Sequence, residues 1–337
     1  MDRFKISRRG FGASVAGVTA VAIIGRATPT LAAPVALRLS SSLPSDPNSA
    51  HWLWYDAFKK NLQSKVGNAI EIQYFPDNQL GKEADIVGQV KLGIVDMMIS
   101  GSSIWATLAP EIGVLDLGYL FDKMDAAGPV LDGKAGGVLN GIFADKIGVE
   151  VLSWAYSFGS RNVAARTPAN TPETLKNQKI RVLPVANFVA TLQAMGASPT
   201  PMSLGEVYTA LQTGVIDGME HDAPTVIALK VYEVAKHISL TQHISNPQTI
   251  VIGRRALSKV PKDLLPAFQS AAAEASTFQR GKANEIEAAA FATLKQNGIT
   301  FHEADRAVFK KMVMPLWDDF AKKYPATRPV LDAILKG

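Results

Sequence analysis

Two arginines carry the strongest chemical signal in the stretch from Ser160 to Asp222. Arg161 follows Gly159-Ser160, and Arg181 sits inside Lys179-Ile180-Arg181-Val182, just ahead of Pro184. A guanidinium at the end of an apolar strand is costly to bury unless an anion meets it. Its planar fork of donors matches a carboxylate in bidentate geometry. Arg181 therefore reads either as the anchor for a small organic acid or as half of a salt bridge to Asp217 or Glu220. Arg161 carries the same two readings. Arg166, before Thr167-Pro168, reads as a surface or loop-packing residue.

Other side chains offer less. Trp154, Tyr156 and Phe158 share one face by period-two spacing and, with Trp105, line a cleft wall or form a core stripe. Tyr208 and Gln212 share a helical face beside Glu206, where packing serves as well as solute contact. The chain has five histidines, none in a His-Glu-x-x-His metal motif, and no Gly-x-Ser-x-Gly elbow. His221, between Glu220 and Asp222, is a metal site, an acid–base site or a polar solute contact. Gly133, Gly136, Gly137 and Gly141 loosely echo a phosphate loop, but no Lys-Ser or Lys-Thr follows them. No cofactor is called for.

The elements that must position these residues follow from composition and pattern. A chain of 337 residues, 47% hydrophobic and 19% charged, is long enough for two lobes or one large α/β domain. The absence of cysteine excludes disulfides, thiolate metal sites and thiol nucleophiles, so the fold rests on its apolar core. The formal charge is +5, of which residues 1–33 hold +4 (Arg3, Lys5, Arg8, Arg9 and Arg26 against Asp2), leaving +1 for the remainder. Basic residues without aromatic interleaving give no nucleic-acid footprint.

Ser7-Arg8-Arg9-Gly10-Phe11, a mild apolar run to Ile24 and the small residues up to Ala33 describe a cleavable signal peptide of the twin-arginine type over residues 1–33. A Sec signal that happens to contain Arg-Arg is the alternative. Both send the mature chain to the periplasm.

Beyond it, strand Val35–Ser40, helix Ala50–Val66, strand Ile70–Phe75, helix Glu83–Leu92 and strand Asp96–Ser100 predict a parallel sheet covered by helices. Ligands of such sheets sit beyond the strands' carboxyl ends, here Ser40-Ser41-Ser42, Pro76 to Gln79 and Ser100 to Ser103. A helix over Ala127–Phe143 and a strand over Val149–Ala155 complete this unit. Strands at 162–165, 179–182, 198–201 and 218–220, with helices at 186–195 and 204–213, predict a second one. Gln248–Gly253 reads as a strand returning to the first unit, and Lys262 to about Gln296 as one helix bracing both. No internal repeat is evident. The expected organisation is lobe I over residues 34–158 plus about 248–286, and lobe II over 159–247 plus about 287–337.

The chain resembles a known family. Phe75-Pro76 with Gln79-Leu80-Gly81, Thr174-Leu175-Lys176 leading to Lys179-Ile180-Arg181-Val182, the run Met195 to Met202, the run Glu206 to Gly218 and Thr241-Gln242-His243 are similar to motifs of DctP-type solute receptors of TRAP (tripartite ATP-independent periplasmic) transporters. The resemblance implies a two-lobed α/β periplasmic-binding-protein-like fold with an interlobe cleft, crossing strands, a long bracing helix and hinge closure around an organic acid. It also implies delivery of that acid to membrane permease subunits. Arg181 matches the family's carboxylate-binding arginine, Arg161 its frequent second one, and Glu220 a residue that orients arginine. His221 stands where the family often has Asn, which points away from sialic-acid-like specificity. Solute identity would come from the opposite wall, with Trp105, Trp154, Phe158, Asn187 and His221 as its candidates. Two alternatives remain: a ligand-presenting sensor subunit, and a periplasmic enzyme using His221 with Glu220 or Asp222.

Overall fold

The computed structural model describes residues 33–336. The signal peptide expected over residues 1–33 lies, apart from its last residue, outside them.

The chain opens with β1 (Val35–Ser40), α1 (Ala50–Val66), β2 (Ile70–Phe75), α2 (Glu83–Leu92) and β3 (Met97–Gly101). Turns of 3-10 helix over Ser102–Thr107 and Pro110–Asp116 lead to α3 (Ala127–Asp132), α4 (Lys134–Ile142) and β4 (Val149–Ala155). Then come β5 (Arg161–Ala165), α5 (Pro172–Leu175), β6 (Lys179–Val182), α6 (Ala186–Ala194), β7 (Ser198–Pro201), α7 (Val207–Thr213), β8 (Gly218–His221), α8 (Ala223–Ala228) and β9 (His237–Ile244). The last part holds β10 (Gln248–Gly253), α9 (Arg254–Leu257), α10 (Leu265–Gln296), β11 (Thr300–Glu303), α11 (Arg306–Val313), α12 (Pro315–Lys323) and α13 (Arg328–Lys336).

Two sheets result, ordered β2-β1-β3-β10-β4 and β11-β9-β5-β8-β6-β7, and the fold is two-lobed. Strands β1, β2 and β3 pair in parallel as expected, but neither sheet is parallel throughout. β10 returns to the first sheet and inserts antiparallel between β3 and β4, and β5 runs antiparallel to both β8 and β9. Strand β9 is absent from the sequence-based prediction. The helix expected over 127–143 is two helices, broken at Gly133. A Cβ on Gly136 would lie 1.7 Å from the Leu131 carbonyl oxygen, so that turn admits only glycine. The closing helix α13 packs against α3 and α4 of the first unit, whereas residues 287–337 were expected to stay with the second.

A repeat that the residues hide is plain in the backbone. Strands β2-β1-β3 and β7-β6-β8 form matching parallel triplets, in which Leu39 pairs with Met97 and Ile180 with Gly218. Asp96 accepts the Arg38 backbone N–H at 2.9 Å, and Asp217 accepts that of Lys179 at 2.8 Å. On this correspondence Ser40 of β1 occupies the place of Arg181 in β6.

The lobes are joined by the crossings at 156–160 and 245–247 and by α10. The small buried face of α10, Ala271, Ala272 and Ala275, lets α1 lie close against it, and Trp54 of α1 donates to Ser276 Oγ at 2.9 Å. Gln279 of α10 then grips the first crossing. Its Oε1 accepts the Tyr156 N–H at 3.0 Å and its Nε2 donates to the Tyr156 carbonyl at 2.6 Å. Ser160 and Ser245 hydroxyls meet at 2.8 Å and tie the two crossings together.

His51, in the first turn of α1, places Nδ1 2.8 Å from Ser41 Oγ and Nε2 2.9 Å from Gln248 Oε1. The ring thus binds the end of β1 to the start of β10. Burial holds its pKa down to about 4.

Replacing Gln279 by Leu strands two buried backbone groups at the crossing. The expected cost is about 3 kcal/mol in urea denaturation, with the slope unchanged; a loss well under 1 kcal/mol would show that the clamp contributes nothing. His51 generates a second expectation. Between its free value of 6.5 and about 4, the unfolded chain binds a proton there that the folded chain does not. Stability therefore falls as pH falls across that window, by up to about 3 kcal/mol. Burial pushes the carboxyls of Asp116 and Glu287 up to about 7, which acts in the opposite sense. The difference between wild type and His51→Gln isolates the histidine, and a flat difference from pH 7 to 4.5 would refute its neutral state.

Candidate functional site

Arg181 owes its position to strand alternation. Its neighbours Ile180 and Val182 enter the core beneath β6, so the arginine takes the other face. The whole side chain is buried, with 0% of its surface exposed. Nε donates to the Met202 carbonyl at 2.9 Å, but Nη1 and Nη2 are buried with no hydrogen-bond partner among the described residues. Burial lowers its pKa to about 10, so the guanidinium remains charged at neutral pH.

Arg161 opens β5 on the strand beside β8. Its Nε and Nη2 both engage the Glu220 carboxylate, and Nη2 also reaches the Glu220 carbonyl at 2.9 Å. The guanidinium lies over the Phe188 ring, 5.1 Å from its centroid. Burial alone would raise the pKa of Glu220, but Arg161 and His243 hold it down at about 2. Glu220 is thus committed to Arg161, and neither Glu220 nor Asp217 pairs with Arg181. Asp217 serves the β6 backbone instead.

The two arginines and His221 line one cavity. The space in it that a water-sized molecule can occupy is only about 30 Å³, so the side chains around it stand close together. Its other walls are Ser42, Leu43, Ala50, His51, Glu83, Gly101, Leu183, Leu204, Asp222, Asn246 and Gln248. The ends of β1 and β3 reach this cavity as expected, whereas the segment Pro76 to Gln79 does not. His221 Nδ1 accepts the Asp222 backbone N–H at 3.0 Å, leaving Nε2 for a donor role, and burial lowers its pKa. Asp222 caps α8 through Thr225 at 2.9 Å. Asn246 is held by Ser103 at 2.8 Å and by Asp116 at 2.7 Å. Burial raises the pKa of the half-buried Glu83 carboxyl, opposed by Ser42 and both arginines.

Five residues expected at the site lie elsewhere. Trp105 is fully buried, donates to Ser100 at 3.0 Å and packs edge-on against Phe143. Trp154 also packs edge-on against Phe143 and donates to Asn140 at 3.0 Å. Phe158 is core. Asn187 donates to the Gly113 carbonyl at 2.7 Å beside a separate cavity under α12. Tyr208 meets Glu233 at the surface at 2.7 Å. Apart from two imidazoles, the cavity has no aromatic wall. Sequence reasoning missed Glu83, His51, Asn246 and Gln248. Glu83, the first helical residue after the Gln79-Leu80-Gly81 motif, carried a readable signal, because a carboxylate there faces the cavity from a helix N-terminus. Among the described residues, no group of three or more acidic or imidazole side chains is placed to hold a metal.

Comparison with known proteins agrees with this architecture. The profile of the bacterial extracellular solute-binding protein family 7, DctP, matches residues 45–323. The 2,3-diketo-L-gulonate-binding periplasmic protein YiaO of Escherichia coli K12 is 33% identical over 280 residues, which cover 82% of this chain and 85% of that protein. A TRAP periplasmic solute-binding protein of Xanthobacter autotrophicus Py2, solved with β-D-galacturonate, superposes with a TM-score of 0.83 at 30% identity, over 88% of this chain and 98% of that one. A counterpart from Citrobacter koseri with bound D-glucuronate gives 0.83 at 29% identity, over 89% and 98%. The chain therefore belongs to the DctP family of bacterial extracellular solute-binding proteins.

Proposed function

We propose that this receptor captures a small organic acid in the cavity between its lobes, with Arg181 as the carboxylate anchor, and delivers it to the membrane subunits of a TRAP-type transporter. The observation that carries the reading is the pair of buried, unpartnered amino groups on Arg181. An unsatisfied buried donor costs on the order of 1–3 kcal/mol, more when charged. A solute carboxylate relieves that cost with two parallel charge-assisted hydrogen bonds. Arg161 stands beside it, already balanced by Glu220, and adds field without demanding a second anion.

The remaining wall favours a hydroxylated acid over an aromatic one. It presents amides, an imidazole donor and carboxylates, all of which bond to hydroxyl groups, and no flat apolar surface on which a ring could stack. The sugar acids bound by related receptors have this chemistry. An enzymatic reading gains no support from the geometry, because Glu220 is spent on Arg161 and His221 Nδ1 on a backbone N–H. The crossings at 156–160 and 245–247 serve as the hinge, lobe I ending and lobe II beginning there. Export to the periplasm through the twin-arginine-type signal completes the reading.

Thermal shift tests it. D-glucuronate, D-galacturonate or L-galactonate at about 100 times the dissociation constant adds about 2.7 kcal/mol, a shift of a few degrees. Glucose and glucuronamide should give none. Arg181→Met should abolish the response while raising the melting point of the ligand-free protein, since it removes an unpartnered charge worth on the order of 1–3 kcal/mol. A variant that still responds to the acids would overturn the assignment of Arg181.

A further inference from the structure

A second opening adjoins the Arg181 cavity and leads down to the same guanidinium. One rim is the N-terminal turn of α2, Lys82 and Glu83, and the other is the segment around Ser203 and Glu206 that precedes α7. Across it, Lys82 Nζ lies 2.8 Å from Glu206 Oε1, joining residues 124 positions apart in sequence. The rims also approach at a second point, where Asn78 Nδ2 lies 3.6 Å from where a Cβ on Gly205 would be.

Both partners are arranged for this contact. The Ser203 backbone N–H donates to Glu206 Oε2 at 3.2 Å in a reciprocal capping box, so the carboxylate is fixed before Lys82 arrives and keeps Oε1 free for it. Lys82 occupies the N-cap of α2, where its side chain caps nothing and its charge opposes the helix dipole. Local helix stability therefore gives no reason for a lysine here; the contact across the opening does.

We propose that Lys82 and Glu206 are positioning residues that form a latch over the mouth of the cleft, holding the lobes closed around a bound solute and setting its rate of escape. The proposal rests on the reading of the Arg181 cavity as the solute site. An exposed ion pair adds little to the stability of a fold. This one, however, exists only when the rims meet, so its whole contribution falls on the balance between closed and open forms. Rim charges of this kind act on kinetics and are screened by salt.

Two measurements test the latch. The chain has no cysteine, so Lys91→Cys on α2 and Gln212→Cys on α7, both exposed, give unique spin-label sites on the two helices that start at the rims. In the ligand-free protein, Lys82→Ala should move the interlobe distance distribution toward the open form by about two- to fivefold in population. Glu206→Gln, which keeps the capping box, should do the same, and adding Lys82→Ala to it should have no further effect. Raising salt from about 10 mM to about 1 M, which cuts the screening length from ~30 to ~3 Å, should erase the difference. With D-glucuronate as the probe in stopped flow, both variants should release it about two- to fivefold faster at low salt and equally at high salt. Unchanged distances and release rates in both variants would overturn the latch. If D-glucuronate fails to bind wild type while the distances respond as expected, the latch stands and the solute reading is what fails.

Discussion

The structure turns on a charge imbalance at one place. Arg161 and Arg181 face the same cavity; of the carboxylates around them, Glu220 closes on Arg161 through two guanidinium nitrogens, and Asp222 caps α8. His243 leans on the same carboxylate from 3.6 Å, and its own Nδ1 is held by Thr241. Nothing is left for the outer nitrogens of Arg181. A buried pair that is broken costs several kcal/mol, so Arg161 and Glu220 form the fixed half of the site. On the proposed reading, Arg181 forms the half that an anion from outside completes.

Such a site needs a frame that tolerates it. The first and largest apolar cluster runs from α2 and the 3-10 turns after β3 through β6 and α6 to α13, so it underlies the floor of the cavity on both sides. A second cluster fastens α1 to α10, and a third packs α7, α8 and β9 against the far end of α10. The polar clamps are concentrated where the chain passes between lobes, at Tyr156, Ser160 and Ser245. The helix that carries Gln279 thus holds the first crossing by both backbone groups of Tyr156.

Much of this was legible in the sequence, and what was not has physical causes. Arg181 was readable because an arginine between Ile180 and Val182 breaks an apolar strand, and the strand period fixes which way it faces. The aromatic residues were misread for the complementary reason. Period two holds only while the chain is a strand, and β4 ends at Ala155, so Tyr156 and Phe158 no longer follow its faces. Trp105 lies on a 3-10 turn that folds back on Ser100. The contact of His51 with Gln248 spans 197 positions and exists because β10 inserts antiparallel beside β3, an event that no local spacing announces. Strand β9 does alternate from His237 to Ile244, and its omission was a failure to read an available pattern.

The hidden repeat shows why the proposed anion site draws its arginine from only one of the two triplets. The triplets β2-β1-β3 and β7-β6-β8 correspond residue by residue, with Asp96 and Asp217 in the same backbone role. Leu39 corresponds to Ile180, Ser40 to Arg181, and Ser42 to Leu183. Both Ser42 and Leu183 face the cavity. The first unit thus brings short hydroxyl side chains to the cleft, whereas the second brings a guanidinium and apolar support. Two copies of the same turn of chain, brought to one cleft, would place like groups at its two ends. Substitution at these few strand ends makes the ends unlike, a cation at one and neutral hydrogen-bonding groups at the other. That polarity suits the proposed solute, with a carboxylate at one end and hydroxyls along the rest.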